Sequence, residues 1–270
     1  MRISSRALVN RLATYPVLLP LMLIYALAEN KNPILDAFYT IRGLPHGWLK
    51  GKTRIAFYDS FTIVFPFDED PSFDDVWLRN VYYPYRPKND DVVVDIGAHM
   101  GFFTLKVAKT VRKVVAVEPD PVNFHFLSLN VRLNRVTEKV ILHNCAIGEK
   151  ESQIYLDRGY YGFGRTKIAE KETGYLTKMT TTDRLIESER LQRLDLIKID
   201  AEGYELQILN HAQRTLEEFH PRLLIAAYHF RHEASMLSDR LLEFGYEVKY
   251  YQIPLILSRF RETYLYASHQ

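Results

Sequence analysis

Five short apolar runs alternate with helical stretches over the last two thirds of the chain. The runs are bounded by turn residues and cover residues 92–97, 113–119, 139–145, 195–200 and 222–229. Such runs are typical of strands buried on both faces of a parallel sheet. Residues 103–110 and 123–134 have helical spacing and lie between the first three runs. The alternation predicts an α/β domain in which helices cover both faces of a mainly parallel sheet.

Other patterns predict the parts that flank this sheet. Residues 53–67 place β-branched and aromatic residues around a polar step, which predicts a hairpin, and residues 73–83 have helical spacing. Residues 157–177 show no period and predict a long loop. Residues 234–244 predict a helix that ends at Gly245, and the segments after it predict a closing antiparallel strand pair. We expect three parts: a helical leader (1–50), a hairpin and helix extension (51–90) and the α/β domain (91–270).

The N-terminal leader is open to three interpretations. Basic residues precede an apolar run over residues 15–28, which is the outline of a secretory signal peptide. Pro16 and Pro20 interrupt that run, and it is shorter than the ~20 residues that a membrane-spanning helix needs. We expect a helix packed on the domain of a cytoplasmic protein. Contact of residues 1–30 with a membrane surface and a cleaved signal peptide are the alternatives.

Composition and histidine spacing argue against several partners and ligands. The chain has 35 Lys and Arg against 33 Asp and Glu, so we expect no nucleic-acid partner. Cys145 is the only cysteine, which excludes an intrachain disulfide and a Cys-rich zinc site. His220, His229 and His232 lack the i, i+4 spacing of a helical zinc pair. We therefore predict no metal site, although a catalytic magnesium and the oligomeric state stay open.

The segment DIGAHMGFFT directly follows the first predicted strand and opens a helix. Gly97 and Gly101 let the backbone turn sharply and approach a ligand, and the helix start offers N–H groups to a carboxylate. With Asp95 facing an ammonium group, this loop suits the amino-acid end of S-adenosylmethionine. Glu118 ends the second strand, where Rossmann-like folds place an acid that binds ribose hydroxyls. The G-x-x-x-G spacing differs from the G-x-G-x-x-G of dinucleotide-binding proteins.

These motifs resemble the FkbM family of class I S-adenosylmethionine-dependent methyltransferases over about residues 82–229. The most specific block is LDLIKIDAEGYELQIL, which is similar to the K-I-D-x-E-G-x-E pattern of the family. The other matching segments are VVVDIGAHMGFFT, AVEPDPVNFHFLSLNVRLN, CAIG and TTTDRL. The chain departs from the family at Ala227, where an acid is frequent, and at His99, where Asn is common.

The resemblance implies a Rossmann-like fold, S-adenosylmethionine as cofactor, and a hydroxyl of a small molecule, sugar or glycan lipid as acceptor. It places the CAIG turn near the adenine and the Asp200 to Glu202 segment beside the site of transfer. Together with the loop chemistry, it leads us to expect cofactor contacts from Asp95, Gly97, Ala98, His99, Gly101, Phe102, Thr104, Glu118, Pro119, Asn144, Cys145, Ala146 and Asp200.

Methyl transfer to a hydroxyl requires alignment of the reactants and removal of one proton. Alignment lowers the barrier because the donor is already activated. Asp200 and His229 both end strands at the ligand-binding edge, so both are candidate general bases, and a structural role for His229 is equally open. Glu202 is the third candidate catalytic residue, whereas for Glu205 we expect only helix stabilisation. A nicotinamide-dependent oxidoreductase or epimerase and a non-catalytic cofactor-binding module remain alternative functions.

Overall fold

The computed structural model describes residues 53–58, 60–66, 72–157, 167–168, 174–254 and 261–269. These residues fall into two compact units. The first holds an antiparallel hairpin of β1 (Thr53–Tyr58) and β2 (Phe61–Pro66), which confirms the hairpin predicted for residues 53–67. The predicted leader lies outside the described residues, and the division into three parts stays a prediction.

The second unit contains the remaining strands and the helices. Its strands are β3 (Val92–Ile96), β4 (Lys113–Val117), β5 (Val140–His143), β6 (Ala146–Ile147), β7 (Ser152–Asp157), β8 (Lys167–Ile168), β9 (Tyr175–Thr180), β10 (Leu196–Ile199), β11 (Arg222–Ala226), β12 (Tyr246–Pro254) and β13 (Arg261–His269). Its α-helices are α1 (Phe102–Ala108), α2 (Pro121–Leu133), α3 (Thr182–Ser188), α4 (Glu205–Asn210), α5 (Gln213–Phe219) and α6 (Glu233–Glu243). None of these helices in the described part of the chain is long and apolar enough to cross a membrane.

Seven strands form the main sheet, in the order β12-β13-β11-β10-β3-β4-β5. β3, β4, β5, β10 and β11 are parallel, and β13 pairs antiparallel with both β11 and β12. Every residue of β3 is buried, as expected for a strand covered on both faces. The predicted Rossmann-like α/β sheet, its five parallel strands and its closing antiparallel pair are therefore confirmed.

Two predicted segments differ from the structure. Within residues 157–177, β8 pairs with β7 and β9 begins at Tyr175, so a second, four-stranded sheet (β6-β9-β7-β8) replaces part of the predicted loop. The helix predicted for residues 73–83 is limited to a short stretch that includes the single π-helical turn Asp74–Leu78. The helix cannot continue through Asn80, which adopts a left-handed backbone with a φ of 51°.

The strand order of the main sheet changes direction at β3. Strands β4 and β5 follow on one side of β3, whereas β10 and β11 lie on the other side. The loops that leave β3 and β10 therefore diverge at the carboxyl edge of the sheet. This is the topological switch point at which open α/β sheets bind ligands.

Candidate active site

A cavity of about 530 Å³ lies along this carboxyl edge. Its size is within the roughly 300–1,000 Å³ of small-molecule and cofactor sites. Of the predicted cofactor contacts, its walls include Gly97, Ala98, His99, Phe102, Glu118, Pro119, Cys145, Ala146 and Asp200. The three candidate catalytic residues, Asp200, Glu202 and His229, also line it. The fold thus brings loops that are far apart in the sequence to one cavity.

Asp95 does not line the cavity, although the sequence predicts a cofactor contact there. Its side chain is fully buried and accepts a hydrogen bond of 2.6 Å from the hydroxyl of Thr104, which is likewise buried. The ammonium group of Lys198 lies 3.1 Å from the other carboxylate oxygen. Lys198 also donates a hydrogen bond of 2.7 Å to the carbonyl oxygen of Gly97. In this structure Asp95 binds the neighbouring strand and helix, so its contact with an ammonium ligand stays a prediction.

Two further residues that were predicted to contact the cofactor, Gly101 and Asn144, do not line the cavity. A Cβ atom at Gly101 would lie 2.7 Å from Cδ1 of Leu127, so this glycine lets α1 and α2 pack closely. Asn144 donates a hydrogen bond of 2.8 Å to the carbonyl oxygen of Glu118 and thereby ties the loop after β5 to the loop after β4. Both residues shape the loops that line the cavity.

The Glu118 carboxylate is held by the backbone of two adjacent loops. One oxygen accepts the N–H of His99 at 2.8 Å and the other accepts the N–H of Asp120 at 2.9 Å. Burial raises the pKa of Glu118 above its ordinary value, although His99 and the two backbone donors oppose this shift. A carboxylate has about four acceptor sites, so these two bonds fix its direction and leave capacity for a ligand diol.

His99 sits in a left-handed backbone conformation with a φ of 53°. Among non-glycine residues, Asn, Asp and His are enriched in this conformation. Histidine is therefore compatible with the loop at the position where the family commonly has Asn.

Asp200 lies immediately after β10 and projects its carboxylate towards the cavity. The hydroxyl of Tyr82 donates a hydrogen bond of 2.7 Å to Oδ2, and Nε2 of His229 lies 3.5 Å from Oδ1. Burial alone would raise the pKa of Asp200, but His229, Lys198 and the Tyr82 hydroxyl outweigh burial and lower it to about 2. Asp200 is therefore ionised throughout the physiological pH range.

The imidazole of His229 is surrounded by acids. Its Nδ1 lies 3.3 Å from Oε1 of Glu205 and 3.4 Å from Oε2 of Glu233, on the side opposite Asp200. Burial alone would lower the pKa of His229, but the three carboxylates outweigh it and raise the pKa to about 11. A ring that is protonated at neutral pH has no lone pair for an acceptor proton, which argues against His229 as the general base.

Sequence reasoning missed the two glutamates of this acid cluster, which comprises Asp200, Glu205, His229 and Glu233. An acid at the start of a helix, as at Glu205, is accounted for by helix stabilisation alone, and Glu233 lies outside every motif. The parallel pairing of β10 with β11 brings both helix starts together. The recurrence of an acid a few residues after each of these two strands is the signal that could have found them.

Three members of the acid cluster also have donor atoms that a cation could use. One ligand atom each from Asp200, Glu205 and His229 lie within 4.8 Å of one another. However, both ring nitrogens of His229 face carboxylates, an arrangement that suits an imidazolium with two N–H donors better than a neutral metal ligand. The absence of a metal site therefore stays a prediction.

The fold defines a Rossmann-like protein with a cavity at the switch point of its sheet. The chain belongs to the FkbM methyltransferase family, because the model described as the methyltransferase FkbM domain matches residues 95–248, more than half of the chain. This confirms the family resemblance read from the sequence motifs.

Individual relatives are more distant. The hexuronic acid methyltransferase AglP of Haloferax volcanii is 26% identical over 130 residues, which cover 48% of this chain and 53% of AglP. Methyltransferase 1 of Beauveria bassiana is 26% identical over 152 residues, covering 47% of this chain and 61% of the relative. The chain thus spans about half to three fifths of the length of these curated relatives. The FkbM methyltransferase structure from Methylobacillus flagellatus shares the fold, with a TM-score of 0.52, 22% identity and coverage of 67% of this chain and 44% of that one.

Proposed function

We propose that this chain transfers a methyl group from S-adenosylmethionine to a hydroxyl group of a sugar or another small molecule. The observation that carries the proposal is the pairing of two acids in one cavity of an FkbM-family domain. Glu118 lies on the wall formed by the loop after β4, and Asp200 lies on the wall formed by the loop after β10.

The cavity has the size and chemistry that this cofactor needs. The oriented carboxylate of Glu118 suits the two hydroxyls of a ribose. Aromatic rings and ionised acids suit a sulfonium, since ring faces and carboxylates both attract cations. Such rings line the cavity at Tyr82, Phe102, Phe103, Tyr228 and Tyr264. When bound, the cofactor would supply an activated methyl group on its sulfonium sulfur.

Asp200 is the residue best placed to orient the acceptor hydroxyl. A carboxylate with a pKa of about 2 is too weak a base to deprotonate a hydroxyl before transfer. An acceptor oxygen that received the methyl group would, however, be strongly acidic, and Asp200 could then take its proton and pass it to solvent. The Tyr82 hydroxyl and His229 hold the carboxylate in position for this step. Glu202 borders the same space.

The cavity mouth favours a sugar-like acceptor. Tyr228 and Phe230 line the cavity and are 37% and 43% exposed, so they offer ring faces to a ligand. The name of AglP, a hexuronic acid methyltransferase, points to the same acceptor class. The near-neutral net charge of +2 gives no electrostatic reason to add a nucleic-acid partner. A cytoplasmic location follows if the enzyme uses cytosolic S-adenosylmethionine.

The test is a transfer assay with methyl-labelled S-adenosylmethionine and a panel of hexuronic acids, neutral sugars and simple alcohols, followed by mass spectrometry. We expect a labelled methyl ether on a sugar hydroxyl, and Asp200→Asn should reduce kcat while the Kd for the cofactor stays nearly constant. Calorimetry that shows no cofactor binding at millimolar concentration would refute the proposal. Binding without any product would favour a non-catalytic cofactor-binding module.

A further inference from the structure

Two glutamates occupy equivalent places after neighbouring strands. Glu205 is the first residue of α4, and its Oε1 accepts the backbone N–H of Ala201 at 2.7 Å. Glu233 is the first residue of α6, and its Oε2 accepts the backbone N–H of His229 at 2.6 Å. Each carboxylate thus reaches back four residues and fixes the connection between its strand and its helix.

The same two carboxylates face the ring of His229. The side chains of Glu205 and Glu233 are 0% exposed, and that of His229 is 6% exposed. The ring of Tyr228 lies over that of His229 with 4.6 Å between centroids and covers one more side. Water therefore has little access to this cluster, and each buried charge is stabilised mainly by the opposite charges around it.

The groups around His229 favour one protonation state of its ring. Asp200 faces Nε2, Glu205 and Glu233 face Nδ1, and the two glutamates also contact each other. Burial raises the pKa of Glu205, whereas His229 lowers the pKa of Glu233. A cationic ring is the group that such an arrangement stabilises, since a buried carboxylate without a positive partner is costly.

We propose that Glu205 and Glu233 are positioning residues, which keep His229 as an imidazolium and through it hold Asp200 in the orientation that the acceptor meets. The inference rests on the proposed function only for the role of Asp200. Neither glutamate lines the cavity, and both act through His229. The reactivity of the acceptor site would therefore depend on two glutamates at helix starts that do not themselves line the cavity.

The direct test is ¹⁵N NMR of the imidazole rings in uniformly labelled protein between pH 6 and 11.5, with His229→Gln used to assign the resonance. In the wild-type chain, we expect both His229 nitrogens to stay protonated beyond pH 9. Glu233→Gln keeps an oxygen acceptor for the backbone N–H of His229 but removes the negative charge. In this variant we expect the titration midpoint of the His229 ring to move down by at least one pH unit. Glu205→Gln should shift it in the same direction.

Kinetics supply the second readout. Glu233→Gln should lower kcat by ~10-fold or more, because full loss of an oriented catalytic group costs roughly 10²–10⁴-fold. The cofactor Kd should change less than twofold, and Glu233→Asp should restore part of the rate. Glu243→Gln is the matched control: Glu243 is the last residue of the same helix, and its exposed side chain pairs with Arg240. This control should leave kcat and the His229 resonance unchanged.

A neutral His229 ring at pH 8 in the wild-type chain would overturn the inference without any variant. The inference would also be overturned if both glutamate variants kept the wild-type titration midpoint of the His229 ring. A fall in kcat without a change in that midpoint would overturn it too. Failure of the proposed function is seen separately, as absence of cofactor binding in calorimetry. The NMR result does not depend on turnover.

Discussion

The backbones of Gly97 and Asp200 meet at the point where the strand order of the main sheet changes direction. A Cβ atom on Gly97 would lie 1.8 Å from the carbonyl oxygen of Asp200. Gly97 also has a φ of 73°, which side-chain-bearing residues rarely adopt. The glycine that sequence motifs associate with a nearby cofactor is thus required, first of all, by the loop that holds Asp200.

Gly97→Ala should therefore destabilise the domain and displace Asp200. Left-handed strain alone costs roughly 1–2 kcal/mol, and the clash with a backbone atom should add to it. Gly203→Ala provides the control, because Gly203 has a φ of 97° but its nearest neighbour, Cβ of His229, would lie at an ordinary 3.5 Å. Urea unfolding should show a clearly larger loss of stability for Gly97→Ala. Equal losses would mean that the contact with Asp200 is unimportant.

Glu118→Gln should weaken cofactor binding. A hydrogen bond to a charged group contributes roughly 1.5–3 kcal/mol, so we expect the Kd for S-adenosylmethionine to rise by about 10-fold or more in calorimetry. Glu138→Gln, an exposed change elsewhere in the domain, should leave the Kd unaltered. An unchanged Kd in Glu118→Gln, with an unchanged melting temperature, would remove Glu118 from the cofactor site.

Lys198→Met should be strongly destabilising, because it leaves the Asp95 carboxylate buried without its cationic partner. Lys198 and Asp95 have side chains that are 4% and 0% exposed, and loss of one member of a buried pair costs roughly 3–5 kcal/mol. The double variant Lys198→Met with Asp95→Asn should recover part of this loss in urea unfolding. Additive losses in the double variant would show that the two side chains do not stabilise each other.

The stability of the domain should fall as the pH rises from 8 to 9.5. Folding raises the pKa of His229 from its ordinary 6.5 to about 11, so its stabilising contribution is complete below pH 6.5 and is lost as the pH rises towards 11. One extra bound proton in the native state corresponds to roughly 1.4 kcal/mol per pH unit. Burial also raises the pKa of Glu205, so its own contribution is likewise lost as the pH rises.

Urea unfolding at several pH values measures this slope. In a Glu205→Gln background, His229→Gln should make the slope between pH 8 and 9.5 shallower, whereas the exposed His211→Gln should keep it. An equally steep slope in His229→Gln would assign the pH dependence to other groups.

The sheet was predictable from sequence because its signal is local. An apolar run such as VVVDI is typical of a parallel strand covered on both faces, and Asp95 and Glu118 stand at the ends of two such runs. In the second sheet, β6 and β8 have two residues each, too few to show a period, and β9 buries Thr177 while Leu176 is exposed, so its apolar pattern is misleading.

The acid cluster was beyond sequence reasoning for a different reason. Its members come from two loops and two helix starts, and their proximity follows from the pairing of β10 with β11. Burial then decides their charges: the same carboxylate type has its pKa raised at Glu205 and lowered at Asp200. Both outcomes depend on neighbours that linear spacing does not reveal.

The backward reach of Glu205 and Glu233 also limits how this domain can be lengthened. Each carboxylate reaches back four positions along the chain, from Glu205 to Ala201 and from Glu233 to His229. One extra residue in either connection would withdraw a carboxylate from His229 by about a third of a helical turn. New sequence meant to alter acceptor specificity should therefore leave these two short turns at their present length.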